Sequence, residues 1–304
     1  MAPSVVTVPG AGGLDLAVHH LGGDGPPVML VHATGFHGRC WIPLARSLVP
    51  YFTVWALDQR GHGASGKDPD GRYDDWEAFA ADLLAAVDAI GGTGWRAAGH
   101  SLGGGVSLLA EARRPGTFTA IACYEPVVFP PGSFDAARVP PGDRNPLAVL
   151  ARKRRPAFPS RQAALENYRS KPPFSAFTAE ALECYVEYGF VDQPDGTVTL
   201  ACRREDEAAV FEGAIHSPTW SALPDVRSPV AILAGSDHTD PVGRVAADVA
   251  RRLPRGGFRR VAGLDHFGPM TAPGLVGSLM AVALESGERM GDGKESPMPV
   301  TPPK

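Results

Sequence analysis

Residues 99–105 read Gly99-His100-Ser101-Leu102-Gly103-Gly104-Gly105, a G-x-S-x-G pattern between an apolar run at 95–99 and a helical repeat at 102–114. A serine at this junction sits at the apex of a sharp strand-to-helix turn. Neighbours without bulky side chains let the helix approach the strand, and the turn holds the hydroxyl clear of the backbone. The N–H of Leu102 opens the helix, where unpaired N–H groups stabilise developing negative charge. Without a strand before it and a helix after it, the pattern is only a Gly-rich turn with an incidental serine. In this context Ser101 is a candidate nucleophile.

Apolar runs and amphipathic segments alternate outward from this turn in both directions. Residues 5–8 and 14–21 predict two opening strands across a Gly-rich turn, and 27–33 (PVMLVHA) and 52–58 (FTVWALD) predict buried strands. Trp41, Leu44, Ala45, Leu48 and Val49 share one helical face. Residues 74–90 repeat Phe79, Leu83, Leu84, Val87 and Ile90 at helical spacing behind Asp74 or Asp75 as a cap. A strand is predicted at 118–125, after which the period breaks. Residues 127–228 hold Pro-rich turns and helical stretches near 160–170, 178–188 and 205–214. The alternation resumes with a strand at 229–235, a helix near 242–253, a strand at 258–262 and a last helix at 274–284. The pattern predicts the α/β class, a mostly parallel sheet flanked by helices. Its core comprises residues 1–126 and 229–285, interrupted by a mainly helical insertion at 127–228. Residues 286–304 lack apolar periodicity and read as a disordered tail.

Composition bounds the function. The chain has 304 residues, 44 % of them hydrophobic, so a sizeable core can form. With 29 basic against 33 acidic residues and a net charge of −4, nothing directs it to nucleic acid or an anionic membrane. The densest basic stretch, Arg152-Lys153-Arg154-Arg155, reads as a solvated helix end. Cys40, Cys123, Cys184 and Cys202 match no metal spacing, and the first, second and fourth read as buried free thiols. No apolar run approaches the roughly 18–20 residues of a membrane span. The first residues lack the basic start and apolar middle of a signal peptide. A cytoplasmic protein is expected. Its oligomeric state is left open.

Three further motifs bear on the chemistry. The loop His32-Ala33-Thr34-Gly35-Phe36-His37-Gly38 follows a strand and can bring a backbone N–H towards Ser101, with Thr34 the first choice of donor and Phe36 the second. His32 and His37 read as loop-packing residues, since no acid or cysteine lies at metal spacing. The run Asp58-Gln59-Arg60-Gly61-His62-Gly63-Ala64-Ser65 reads as a structural turn at a strand end. A general base belongs on a loop after the last strand, where Gly263-Leu264-Asp265-His266-Phe267-Gly268 offers His266.

The combination of G-H-S-L-G-G, D-x-R-G-H-G-x-S and the late G-x-x-H-F resembles the α/β-hydrolase fold family. The likeness covers residues 1–126 and 229–285, and the insertion at 127–228 takes the place of that family's cap domain. The resemblance implies an eight-stranded, mostly parallel sheet with a helical cap inserted after the sixth strand. It also implies a nucleophile–acid–histidine triad that acts on a small-molecule substrate without metal or organic cofactor. Ser101 would be the nucleophile, His266 the base and the Leu102 N–H an oxyanion donor. Two features depart from the family pattern. The oxyanion loop reads H-A-T-G-F where the family more often has H-G. The usual acid position after the seventh strand is occupied by His238, flanked by Asp237 and Asp240. Glu125 offers another acid, 24 residues after Ser101 at the end of a strand. Tyr124-Glu125-Pro126 looks like the arrangement in members such as the zearalenone lactonases, which carry the acid after the sixth strand. The alternative is that Glu125 caps the strand while Asp237 or Asp240 orients His266.

The expected activity is serine-dependent hydrolysis of an ester or lactone of a small, largely apolar substrate. Carbon–carbon bond hydrolysis, perhydrolysis with the same triad, or a ligand-binding receptor on the same scaffold are the alternatives. The tail yields a separate expectation. Removing residues 286–304 should leave turnover and melting temperature nearly unchanged, and a loss of several degrees in thermal melts would show that the tail docks.

Overall fold

A computed structural model describes residues 4–133, 145–236 and 241–286. The tail from residue 287 and the candidate acids Asp237 and Asp240 lie outside the described residues. Strands β1 (Ser4–Pro9), β2 (Asp15–Gly22) and β3 (Pro27–Val31) open the chain, followed by the short helix α1 (Ile42–Ala45) and strand β4 (Thr53–Leu57). Then come α2 (Trp76–Ile90), β5 (Arg96–His100), α3 (Leu102–Arg113) and β6 (Ala120–Tyr124). The insertion contributes α4 (Pro146–Arg152), β7 (Ala157–Phe158), α5 (Arg161–Arg169), α6 (Ala179–Tyr188), β8 (Phe190–Asp192), β9 (Val198–Leu200), α7 (Arg204–Gly213) and α8 (Thr219–Ala222). The core resumes with β10 (Val230–Gly235), α9 (Pro241–Arg252), β11 (Gly256–Val261), α10 (Gly268–Thr271) and α11 (Pro273–Ser286).

Eight strands form one sheet in the order β1-β2-β4-β3-β5-β6-β10-β11. Only β2 runs antiparallel to its neighbours, and every other pairing is parallel. The physical reason lies in the strands' composition. β6 (AIACY) and β10 (VAILAG) are buried at every residue, as a parallel strand covered on both faces must be. On one face α2, α3 and α9 bury Phe79, Leu83, Val106, Leu109 and Val249. On the other, α1 and α11 bury Leu44, Val276, Met280 and Leu284. Asp75 caps α2 by accepting the Glu77 N–H at 3.0 Å.

The insertion is less purely helical than its sequence suggests, because β7, β9 and β8 form a small antiparallel sheet. Strands of two or three residues are too short to show a period of two, and α4 was hidden by the Pro-rich run before it. The insertion's aromatic core joins Phe158, Tyr168, Phe177, Leu182, Tyr185 and Phe190 to Ala33, Phe36 and Met270 of the body that holds the eight-stranded sheet.

Helix α3 lies against β3 and β5 at backbone distance. A Cβ on Gly103 would stand 2.0 Å from the Val31 carbonyl oxygen, and one on Gly99 would stand 2.5 Å from the Gly103 carbonyl carbon. Both positions contact rigid backbone, which has no room to give. Gly103→Ala should therefore destabilise the protein by about 1–3 kcal/mol or more, read as a lower urea midpoint. An unchanged midpoint would show that the helix can back away at no cost.

Candidate active site

Ser101 follows β5 directly and adopts φ 55° and ψ −118°. It and Glu125 (φ 43°) are the only non-glycine residues with positive φ among those described. Such backbone costs of order 1–3 kcal/mol per residue and persists only where its surroundings over-determine it. Here they do. The Ser101 N–H donates to the Tyr124 carbonyl at 3.1 Å, and the Ser101 carbonyl accepts the N–H groups of Gly104, Gly105 and Val127. The serine turn and the turn that carries Glu125 are thus tied into one unit at the C-terminal ends of β5 and β6, neighbouring central strands of the sheet.

Glu125 is fully buried. Its N–H donates to the Leu233 carbonyl at 2.8 Å, and its Oε1 accepts the Gly235 N–H at 2.9 Å. The other oxygen, Oε2, accepts His266 Nδ1 at 2.7 Å. A carboxylate takes protons but gives none, so this contact fixes the proton of the neutral ring on Nδ1 and leaves the lone pair on Nε2. The backbone beside His266 is held as well. His100 Nε2 donates to the His266 carbonyl at 2.8 Å, and the Tyr124 hydroxyl donates to the Asp265 carbonyl at 2.7 Å. Of the acids considered from the sequence, Glu125 meets His266, while Asp237 and Asp240 lie outside the described residues.

The two candidate donors in the 32–38 loop are now distinguishable. The Phe36 N–H donates to the Ala33 carbonyl at 3.1 Å. Neither the Thr34 N–H nor the Leu102 N–H has a protein acceptor among the described residues. The Phe36 ring packs edge-on to His100 with centroids 6.3 Å apart, and it also meets Phe177, Tyr185 and Phe267. This lines the region next to Ser101 with aromatic carbon.

Sequence reasoning misread one residue here. Arg154, taken as part of a solvated helix end, retains only 17 % side-chain exposure. Its guanidinium pairs with Glu207 of α7 and donates to the hydroxyls of Tyr168 at 2.9 Å and Tyr185 at 2.6 Å. Arg154 therefore ties α5, α6 and α7 together over Gly35, whose Cα faces the Glu207 carboxylate. A run of like charges suggests solvent, and nothing local announces that a distant helix supplies the counter-charge. His37 and His32 are buried as expected.

The chain matches the model of the alpha/beta hydrolase family over residues 28–277. It is 25 % identical over 268 residues to the magnesium-chelatase 30 kDa subunit of Rhodobacter capsulatus, which covers 84 % of this chain and 86 % of that protein. Among solved structures it resembles E-2-(acetamidomethylene)succinate hydrolase with a TM-score of 0.76 and 22 % identity, over 93 % of this chain and 100 % of that one. It also resembles the enol-lactonase of Burkholderia xenovorans LB400 with a TM-score of 0.67 and 18 % identity, over 93 % and 100 % of the two chains.

Three histidines around the site give the fold an acid-labile character. Burial lowers His62 from 6.5 to about 4 and His32 to about 3. Burial, helped by the neighbouring His266, holds His100 well below its usual range. The unfolded chain binds these protons near pH 6.5. The neutral rings thus contribute their full stability above that value and lose it as pH falls towards the folded values, at about 1.4 kcal/mol per unit of difference. Melting temperature should drop steadily between about pH 6.5 and pH 4. A flat profile over that window would mean that the rings are not held neutral.

Proposed function

This chain belongs to the alpha/beta hydrolase family, and from that premise we propose that it is a serine hydrolase cleaving a carboxylic ester or lactone through an acyl-enzyme. The observation that carries the reading is the convergence of two strained turns, Ser101 and Glu125, with His266 hydrogen-bonded to Glu125 at 2.7 Å. His266 Nε2 takes the Ser101 proton as Oγ attacks the substrate carbonyl. The oxyanion is received by the N–H groups of Leu102 and Thr34, which are pre-set and unspent. The imidazolium returns its proton to the leaving alkoxide, and Glu125 stabilises the ring while it is charged. Water, deprotonated by the same ring, then releases the acid and regenerates Ser101. No metal or organic cofactor enters any of these steps.

Residues 127–228 act in this reading as a cap that sets substrate range. The support is the shared aromatic cluster, in which Tyr185 and Phe177 of the insertion meet Phe36 beside the reaction centre. That lining favours a small, largely apolar acyl group. The assignment to the cytoplasm rests on the four free cysteines. No helix of the described residues is long and apolar enough to cross a membrane.

A panel of activated esters, lactones and diketones tests the reading and separates it from carbon–carbon bond hydrolysis. Ser101→Ala should abolish turnover and also labelling by a serine-directed phosphonate. Glu125→Gln should cut kcat by up to about 10⁴-fold, whereas Asp237→Asn should cost little. Sustained turnover by Ser101→Ala would remove the serine from the mechanism. The reverse ranking of the two acid variants would move the acid to the loop after β10.

A further inference from the structure

Two buried histidines outside the triad hold the loop that carries Thr34: His32 belongs to that loop and is held by Gln59, and His62 is presented by the turn at residues 58–65. His32 Nδ1 donates to the Ala33 carbonyl at 2.8 Å, and His32 Nε2 accepts the Gln59 N–H at 3.0 Å. His62 Nδ1 donates to the Arg60 carbonyl at 2.9 Å, and His62 Nε2 accepts the Gly35 N–H at 3.1 Å. The two rings lie 5.1 Å apart. These contacts fall on the two peptide groups that flank Thr34. In a trans peptide the carbonyl and the following N–H point to opposite sides. Holding the Ala33 carbonyl with His32 therefore aims the Thr34 N–H the other way, and holding the Gly35 N–H with His62 stops the next peptide from turning.

We propose that His32 and His62 are positioning residues for the oxyanion donor, each required as the neutral ring with its proton on Nδ1. The proposal rests on the reading of the Thr34 N–H as that donor. The tautomers follow from the partners alone. A backbone N–H can only donate, so each Nε2 facing one must be unprotonated, and each Nδ1 facing a carbonyl must carry the proton. Burial supports the neutral form in both rings. The turn that carries His62 and holds His32 is itself tied down. Asp58 accepts the N–H groups of Gly38 at 2.6 Å and Ala64 at 2.8 Å. Arg60 donates from Nε to buried Asp82 at 2.6 Å. The Gln59 side chain donates to the His32 carbonyl at 2.7 Å. The D-x-R-G-H-G-x-S turn thus sets the second half of the oxyanion site, beyond the purely structural part its sequence suggests.

The test combines spectroscopy with kinetics. Nitrogen-15 spectra of protein labelled in its histidine rings should show the Nδ1–H tautomer for both His32 and His62. His62→Leu should lower kcat on p-nitrophenyl butyrate by about 10- to 100-fold with KM within about twofold. Inhibition by phenylboronic acid, whose serine adduct is tetrahedral, should weaken by the same factor as kcat. His62→Gln places an Oε1 acceptor near the former Nε2 and should recover most of both. An Nε2–H tautomer in either ring overturns the proposal. So does a folded His62→Leu with undiminished kcat, or a loss of kcat with boronate affinity unchanged. If His62→Leu fails to fold, His62→Gln and the tautomers decide. A wild-type chain with both Nδ1–H tautomers but neither ester turnover nor boronate inhibition overturns the hydrolase reading instead.

Discussion

Helix α3 begins where a side chain has no room. Gly99 faces the Gly103 backbone, Gly103 faces the Val31 carbonyl, and Gly104 and Gly105 face Pro126 and the Val127 carbonyl. Four glycines let the helix start against the sheet instead of above it. The chain can reach that start only through a residue with left-handed backbone, and Ser101 is that residue. The same close approach carries the Ser101 carbonyl to the Val127 N–H, which brings the exit of β6, and Glu125 with it, alongside. Serine, acid and the first helical N–H are therefore consequences of one packing constraint. A bulkier residue at any of these glycines would displace all three together.

The remaining parts of the site are held from the outside. His266 is gripped at its ring by Glu125 and at its backbone by His100, while Tyr124 takes the preceding carbonyl. The loop at residues 32–38 is held by its own His32 and by His62, and is pressed from the insertion by Glu207. Most of these partners are neutral donors and acceptors in full burial. Such bonds are directional, and leaving one unmade costs about 1–3 kcal/mol, so the arrangement has few alternatives of similar energy. The charged partners are the Glu125 carboxylate and the Arg154–Glu207 pair, the latter a buried charge pair whose value lies more in fixing geometry than in net stability.

Much of this was legible in the chain. Long buried strands such as β3 and β10 announce themselves as unbroken apolar runs, and α2 announces itself by its period and its Asp75 cap. Ser101 and His266 stand out as candidates because each sits in a local motif. Glu125 was only half legible. Its place at a strand end is local information, but its contact with His266 depends on β10 lying next to β6 and β11 next to β10, which are long-range pairings. The hold of His62 on the loop at residues 32–38 was invisible for the same reason, since its partner Gly35 lies 27 positions away on another loop. Arg154 was misread because charge patterning is a statement about neighbours in sequence, and its counter-charge is 53 residues distant. The small sheet of the insertion left no trace because its strands are shorter than the period that would reveal them.

The insertion leaves the sheet after β6 and returns through β10, and these two strands are hydrogen-bonded neighbours, with Ile121 paired to Val230. Whatever lies between them is, to the core, a closed loop with fixed ends. The entropy of closing such a loop grows only with the logarithm of its length, about 0.6 kcal/mol for each doubling. The core is thus nearly indifferent to how much chain is stored there, provided that chain folds. This one segment can then be lengthened, shortened or replaced while the strained turns that bear Ser101 and Glu125 stay as they are.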